Sequence, residues 1–219
     1  MSTHREFGVV VYGATGYTGR LVCEYLNKQY GVNGDVKWAM AGRSQEKLIQ
    51  VRDEMGIPDD VPFVIADAGN PESVNAMVES TQVVLTTVGP YQKYGSDLVR
   101  VCSETGTDYV DLCGEPAWMH EMIAAHGETA KASGARIVFS CGFDSVPFDL
   151  GVHFLQNAAV EKLEVTTANT IVFATLLMFI SCLRCWVRFT YRVVACGNSM
   201  VHDWRCLSHS DRQTCNSPL

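Results

Sequence analysis

Val9-Val10-Val11-Tyr12-Gly13-Ala14-Thr15-Gly16-Tyr17-Thr18-Gly19 is an apolar run that ends in three glycines spaced G-x-x-G-x-x-G, and a helical pattern follows from Arg20 to Tyr30. A first strand passes to a first helix in this way where a fold binds a dinucleotide. Gly13 permits a tight turn, Gly16 lets the backbone approach a pyrophosphate, and Gly19 lets the helix pack closely on the strand. The helix start offers unpaired N–H groups and a partial positive charge to phosphates. Gly13, Ala14, Thr15, Gly16, Tyr17, Thr18 and Gly19 therefore form the candidate cofactor loop. A purely structural glycine turn is the alternative, and the strand–glycine–helix context favours the nucleotide.

Next outward, Asp35 to Met40 reads as a second strand that ends at Ala41-Gly42-Arg43-Ser44. NAD-specific folds usually hold an acid here for the ribose 2′-OH. The Arg43 guanidinium matches the 2′-phosphate of NADP instead. Ser44 either adds a hydroxyl donor or caps the next helix, Gln45 to Met55. Arg43 as a solvated loop charge is the competing reading; with the glycine loop upstream, the pattern favours NADP(H) over NAD(H).

Val61 to Ala66 is a third strand, closed by Asp67, which stands at the adenine edge or caps a turn. After a short helix, Glu72 to Glu79, Gln82 to Val88 is a fourth strand, apolar enough to be buried on both faces. Gly89 and Pro90 follow, where a ligand would lie beyond the carboxyl ends of the strands; an ordinary strand-ending turn is the other reading. Ser96–Thr105 is a helix, Tyr109–Leu112 a fifth strand, Ala117–Ser133 a helix and Arg136–Phe139 a sixth strand. Val146–Ala159 closes the pattern as a helix with Ser145 at its cap position. This alternation predicts an α/β fold, a Rossmann-type, doubly wound, mostly parallel sheet.

The 219 residues suit one domain or slightly more, and a net charge of −7 argues against a general nucleic-acid binder. Acids crowd residues 1–165, whereas the segment beyond holds only Asp203 and Asp211 against Arg184, Arg188, Arg192, Arg205 and Arg212. Met1 to Glu6 is polar and Phe7 to Tyr12 is too short for a secretory core. Cys23, Cys102, Cys113 and Cys141 read as reduced thiols, so the cytoplasm is the expected location.

Residues 7–163 resemble the NADP-binding domain of the saccharopine dehydrogenase-like oxidoreductases, close to the trans-acting enoyl reductases. The resemblance is carried, in this order, by Gly13-Ala14-Thr15-Gly16-Tyr17-Thr18-Gly19, Trp38-Ala39-Met40-Ala41-Gly42-Arg43-Ser44, Val88-Gly89-Pro90-Tyr91, Asp111-Leu112-Cys113-Gly114-Glu115-Pro116 and Cys141-Gly142-Phe143-Asp144-Ser145-Val146-Pro147. It implies a Rossmann-type oxidoreductase domain with NADP(H). It further implies a place in lipid or glycolipid metabolism, with a hydrophobic or lipid-related substrate. Some members of the group sit on membranes or lipid droplets. Family members continue into a substrate and dimerisation region, so a homodimer is a partner to expect. Saccharopine dehydrogenase activity itself is not implied.

From Glu164 onward the sequence departs from the family's pattern. The expectation is a truncated or altered product, with a genuine divergent tail as the alternative. Residues 1–163 are thus read as the NAD(P)-binding Rossmann domain, and residues 164–219 as an atypical Cys/Arg-rich hydrophobic tail that is no recognisable domain. Its most apolar stretch, Ile171 to Leu183, makes a helix of about 20 Å against a bilayer core of about 30 Å. Extension through residues 171–191 brings in Arg184 and Arg188. A membrane span, a membrane-surface or lipid-droplet helix and a buried segment all stay open. A single span with these arginines inside would put the cofactor domain outside, which counts against it. Cys182-x-x-Cys185 with Cys196 and Cys206 lacks a clean second pair, so no metal is expected.

Proton donors for a reductase are sought at the carboxyl ends of the strands, where Tyr91, Asp111, Glu115 and Asp144 stand. Each has a structural alternative, and no Tyr-x-x-x-Lys pair accompanies them. Cys113 reads as a buried thiol more readily than as a nucleophile. No catalytic residue is assigned. Two functions stay open: an NADP(H)-dependent oxidoreductase, or a nucleotide-binding protein without turnover, lacking its substrate region or held at a membrane.

Overall fold

The computed structural model describes residues 5–32 and 34–163. Six strands alternate with helices: β1 (Phe7–Tyr12), α1 (Tyr17–Tyr30), β2 (Trp38–Gly42), α2 (Gln45–Glu54), β3 (Phe63–Ile65), α3 (Pro71–Ser80) and β4 (Thr81–Thr86), then α4 (Tyr91–Tyr94), α5 (Ser96–Thr105), β5 (Asp108–Asp111), α6 (Pro116–Ser133), β6 (Ile137–Val138) and α7 (Val146–Leu163). All strand pairs are parallel, in the order β3-β2-β1-β4-β5-β6. The order reverses between β1 and β4, which is the switch point of a Rossmann sheet.

Strand alternation divides the apolar side chains between two flanks. Val10 and Tyr12 of β1 join Ala39, Ala41 and Val84 in one cluster, sealed by Val74, Met77 and Val78 of α3, Leu98, Val99 and Cys102 of α5, and Trp118 of α6. Val11, with Trp38 and Met40, faces the other flank, where Cys23 and Leu26 of α1 and Leu48 and Val51 of α2 cover it. Burial pushes the Cys23 and Cys102 thiols up to about 12, so both stay protonated core groups.

Three local readings are corrected. The second strand begins at Trp38, because Lys37 precedes the ladder in which Val9 faces Trp38. The fourth strand is not buried on both faces: Gln82 is exposed, and Val83 and Leu85 are half-buried, since α1 and α2 lie over β1 and β2. A one-turn helix, α4, stands directly after Pro90.

At the amino ends of the strands, Arg5 ties the fold together. Its guanidinium donates to the carbonyls of Val78 (3.0 Å), Thr81 (2.6 Å) and Thr105 (2.8 Å), and to the Thr107 hydroxyl. The compact unit that holds the sheet ends at Asp149, and a second unit begins at Leu150, within α7. No helix among the described residues is long and apolar enough to cross a membrane. The expectations for residues 164–219, including the 171–191 stretch, lie outside the described residues.

Candidate dinucleotide site

The glycine loop is fixed from three directions. The N–H groups of Gly13 and Ala14 donate to the Ala41 carbonyl of β2 at 3.0 and 3.1 Å. The Thr87 hydroxyl, beyond β4, donates to the carbonyls of Tyr12 (3.3 Å) and Gly13 (3.2 Å), and its N–H donates to Tyr12 at 2.9 Å. Arg20 of α1 reaches back from Nε to the Thr15 carbonyl at 3.2 Å. The turn that leaves β1 is therefore held by both neighbouring strands and by the helix it leads to.

The three glycines answer to different constraints. Gly13 has φ +91°, and a Cβ there would come within 2.6 Å of Thr87 Oγ1 and 2.9 Å of Val88 Cγ2. A Cβ on Gly19 would overlap the Gly13 carbonyl. Gly16 is exposed, and a Cβ there would meet only the Gly13 oxygen, at 3.3 Å. The protein's own packing forbids a side chain at Gly13 and Gly19 and only crowds one at Gly16. The cradle at Gly16 thus opens outward, as a cradle for phosphate must. Gly16 also serves as N-cap of α1; no side chain among the described residues caps this helix, and its first turn holds no acid. Tyr17 is 83% exposed and Thr18 half-buried beside it.

Beyond β2, Arg43 is exposed and Ser44 caps α2, its hydroxyl oxygen accepting the Lys47 N–H at 3.3 Å. Beyond β3, one Asp67 oxygen accepts the Gly69 N–H at 3.0 Å. That bond meets the turn-capping reading and leaves the second oxygen for other partners. Arg43 and Asp67 share a neighbourhood. Burial pushes the Tyr12 hydroxyl up to about 12; Asp67 adds to this, while the Ala68 N–H and the Arg43 charge oppose it. The loops after β1, β2 and β3 thus converge on one edge of the sheet.

Gly89 and Pro90 are exposed beyond β4. A Cβ on Gly89 would make only ordinary contact with the Tyr91 ring, at 3.7 Å. The candidate proton donors around them are mostly engaged. The Tyr91 hydroxyl, pushed up to about 12 mainly by burial, donates to the Thr86 carbonyl at 3.3 Å. Asp111 is 3% exposed; it accepts from the Tyr109 hydroxyl (2.7 Å) and from the N–H groups of Cys113 (3.0 Å) and Ser140 (2.8 Å). Burial, with Asp111 next, drives the Tyr109 hydroxyl far upward. Glu115 accepts the backbone N–H groups of Tyr91 and Gln92. Asp144 is exposed in the turn before α7. Burial raises the Cys113 thiol, whose sulfur accepts the Glu115 N–H at 3.3 Å, so it is placed as a structural group. Among the described residues, no group of His, Cys, Asp and Glu is arranged to hold a metal ion.

Sequence reasoning passed over Thr87, Arg20 and the clasping role of Glu115. Each acts through a contact distant in sequence or hidden in the backbone, and residue type alone carries no sign of it.

Comparison with known proteins bears on this geometry. The model of the saccharopine dehydrogenase NADP-binding domain matches residues 9–138. The trans-acting enoyl reductase of Mycobacterium leprae is 48% identical over 158 residues, 72% of this chain and 37% of that protein. A homologue from Mycobacterium tuberculosis is 47% identical over 174 residues, 78% of this chain and 41% of its own length. The chain thus spans about two fifths of the length of the curated relatives it matches. Among solved structures, apo saccharopine dehydrogenase (L-Glu forming) of Saccharomyces cerevisiae superposes with a TM-score of 0.53 at 17% identity, over 69% of this chain and 31% of that one; this is a likeness of fold.

Proposed function

The chain belongs to the saccharopine dehydrogenase NADP-binding-domain family, and from that premise we propose that it holds NADP(H) across the β1–β4 switch point for the reduction of an enoyl group on a lipid-related substrate. The pyrophosphate lies on Gly13 to Gly19, against the uncapped start of α1. Arg43 faces the 2′-phosphate, with the Ser44 hydroxyl beside it, and Asp67 borders the adenine. Gly89 and Pro90 approach the nicotinamide half. Residues 1–163 are the cofactor domain in this reading.

The observation that carries it is the outward-opening cradle at Gly16, set between two glycines that the fold itself requires. When bound, NADPH supplies a hydride to the β-carbon of the conjugated double bond; the α-carbon takes a proton, the alkene is reduced and the nicotinamide is oxidised. The chain's own share is to bind and orient: it fixes the phosphates by backbone, selects the 2′-phosphate by Arg43 and keeps the strand-end carboxylates engaged in the scaffold. The trans-acting enoyl reductases among the relatives supply the substrate class.

A thermal melt with NADPH, NADH or neither tests the cofactor placement. A site filled at about 100 times its Kd adds about 2.7 kcal/mol. NADPH should raise the midpoint well above NADH, and Arg43→Ala should remove the difference. Equal shifts with both nucleotides would remove Arg43 from the site. Loss of NADPH absorbance on adding an enoyl thioester tests turnover; tight binding without consumption would leave a nucleotide-binding protein and end the reductase reading.

A further inference from the structure

Glu115 stands where two helices of the second half-sheet begin. Its carboxylate accepts the Tyr91 N–H on one oxygen, at 2.8 Å, and the Gln92 N–H on the other, at 2.9 Å. Its backbone is the N-cap of α6, with its carbonyl accepting the Met119 N–H at 3.1 Å. Both oxygens thus accept from backbone donors. One side chain from beyond β5 therefore grips the chain directly after Gly89-Pro90, which lies beyond β4.

The far side of this segment is equally held. The Tyr91 ring is buried against Trp118, with centroids 5.7 Å apart. The Trp118 indole N–H donates to the Ser96 hydroxyl at 3.0 Å, and a Cβ on Gly95 would come within 2.7 Å of its ring. Gly89 and Pro90, at the start of this anchored piece, face outward.

In a doubly wound sheet each half takes one mononucleotide, on either side of the switch point. With the 2′-phosphate side at the end of β2, the nicotinamide side falls at the ends of β4 and β5. We propose that Glu115 is a positioning residue for the nicotinamide half of the cofactor. It sets the place of Gly89-Pro90 through two backbone N–H groups and itself touches neither cofactor nor substrate. This rests on the NADP(H) placement given above.

The test compares two ligands on the full chain. NADPH is titrated by its fluorescence, and adenosine 2′,5′-bisphosphate, which lacks the nicotinamide half, by calorimetry. Wild type should bind both. Glu115→Gln keeps one acceptor but turns an amide N–H₂ toward the second N–H; it should weaken NADPH by about tenfold and leave the bisphosphate within about twofold. Retained bisphosphate binding reports an intact first half-sheet, which a general loss of fold would not spare. Should Glu115→Gln fail to fold, Glu115→Asp, shorter but still a carboxylate, carries the same comparison with the same selective loss. Equal weakening of both ligands, or unchanged NADPH binding, would overturn the proposal. If wild type binds neither ligand, the cofactor placement itself fails, a result distinct from both.

Discussion

The loops beyond β1 and β2 and those beyond β4 and β5 share one edge of one sheet and are finished in opposite ways. The first pair is built from backbone and glycine. Its turn is tied by carbonyls and N–H groups, and its side chains, Tyr17 and Arg43, point outward. The second pair is built around two carboxylates turned onto the chain's own donors, buried Asp111 with three and half-buried Glu115 with two. A buried carboxylate must find such partners or raise the energy of the folded state steeply. In the proposed reading one half of the edge leaves its polar groups for the cofactor, and the other uses them on itself. Removing an exposed side chain of the first half should therefore cost little stability, and removing the buried Asp111 acceptor of the second should cost much.

The largest effect should come where this contrast fails. Gly19→Ala lies in the glycine-built half, yet its methyl would overlap the Gly13 carbonyl. It should cost at least about 3 kcal/mol in urea denaturation. Gly16→Ala, three residues away, should cost under about 1 kcal/mol while weakening NADPH binding. If the two alanines destabilise alike, the loop is no more than a tight turn.

Asp111→Ala should come next, at about 3 kcal/mol, because it leaves the Cys113 and Ser140 N–H groups and the Tyr109 hydroxyl without their acceptor. Tyr109→Phe removes one of those bonds and should cost about 1 kcal/mol. A stable Asp111→Ala protein with lost turnover would instead move Asp111 from scaffold to chemistry.

Arg43→Ala should change stability by less than about 0.5 kcal/mol, as an exposed side chain does. NADPH affinity should fall by about tenfold or more and NADH affinity should stay, read by the same fluorescence titration.

The smallest effect lies at the opposite end of the sheet. Asp108 accepts from the Arg136 guanidinium and backbone N–H, both at 2.8 Å. Burial alone would raise its carboxyl, but the Arg136 bonds and charge outweigh this and hold it below the ordinary 3.8. A carboxyl depressed in the folded state contributes stability that is complete above its unfolded value and lost as pH falls through the folded one. Asp108→Asn should therefore flatten the stability profile below about pH 4 and leave both halves of the nucleotide edge unaffected. An equal loss at neutral and acid pH, with the slope of the profile unchanged, would show that the pair acts by shape.

The legible parts of this molecule are the local ones. The strand–glycine–helix passage at Val9 to Tyr30 reads directly, because turn, cap and periodicity fall within a few residues of one another. Ser44 reads as a cap for the same reason. α4 was invisible: one turn, Tyr91–Tyr94, is too short for any periodicity to show. The clasp of Glu115 spans 24 residues, the Asp111–Ser140 bond 29 and the Thr87–Gly13 bond 74. No spacing rule links such pairs, since they meet only once parallel strands have been laid side by side. The half-exposed face of β4 was missed likewise: its apolar letters predict burial, but which helix lies over which strand follows from the strand order.

Arg5 gives the sheet a timetable. Its acceptors lie 73 to 102 residues further along the chain, at Val78, Thr81, Thr105 and Thr107. A protein is made from its amino end at about 5–20 residues per second. β1, the centre of the sheet, leaves the ribosome first, yet it cannot close its ladder until β4 has emerged. The Arg5 guanidinium has no complete set of acceptors until the Thr107 hydroxyl follows. Nascent chains stopped short of that residue should stay open to protease, and those carrying it clear of the exit tunnel should become resistant. The residue that begins the sheet is thus among the last to be fastened.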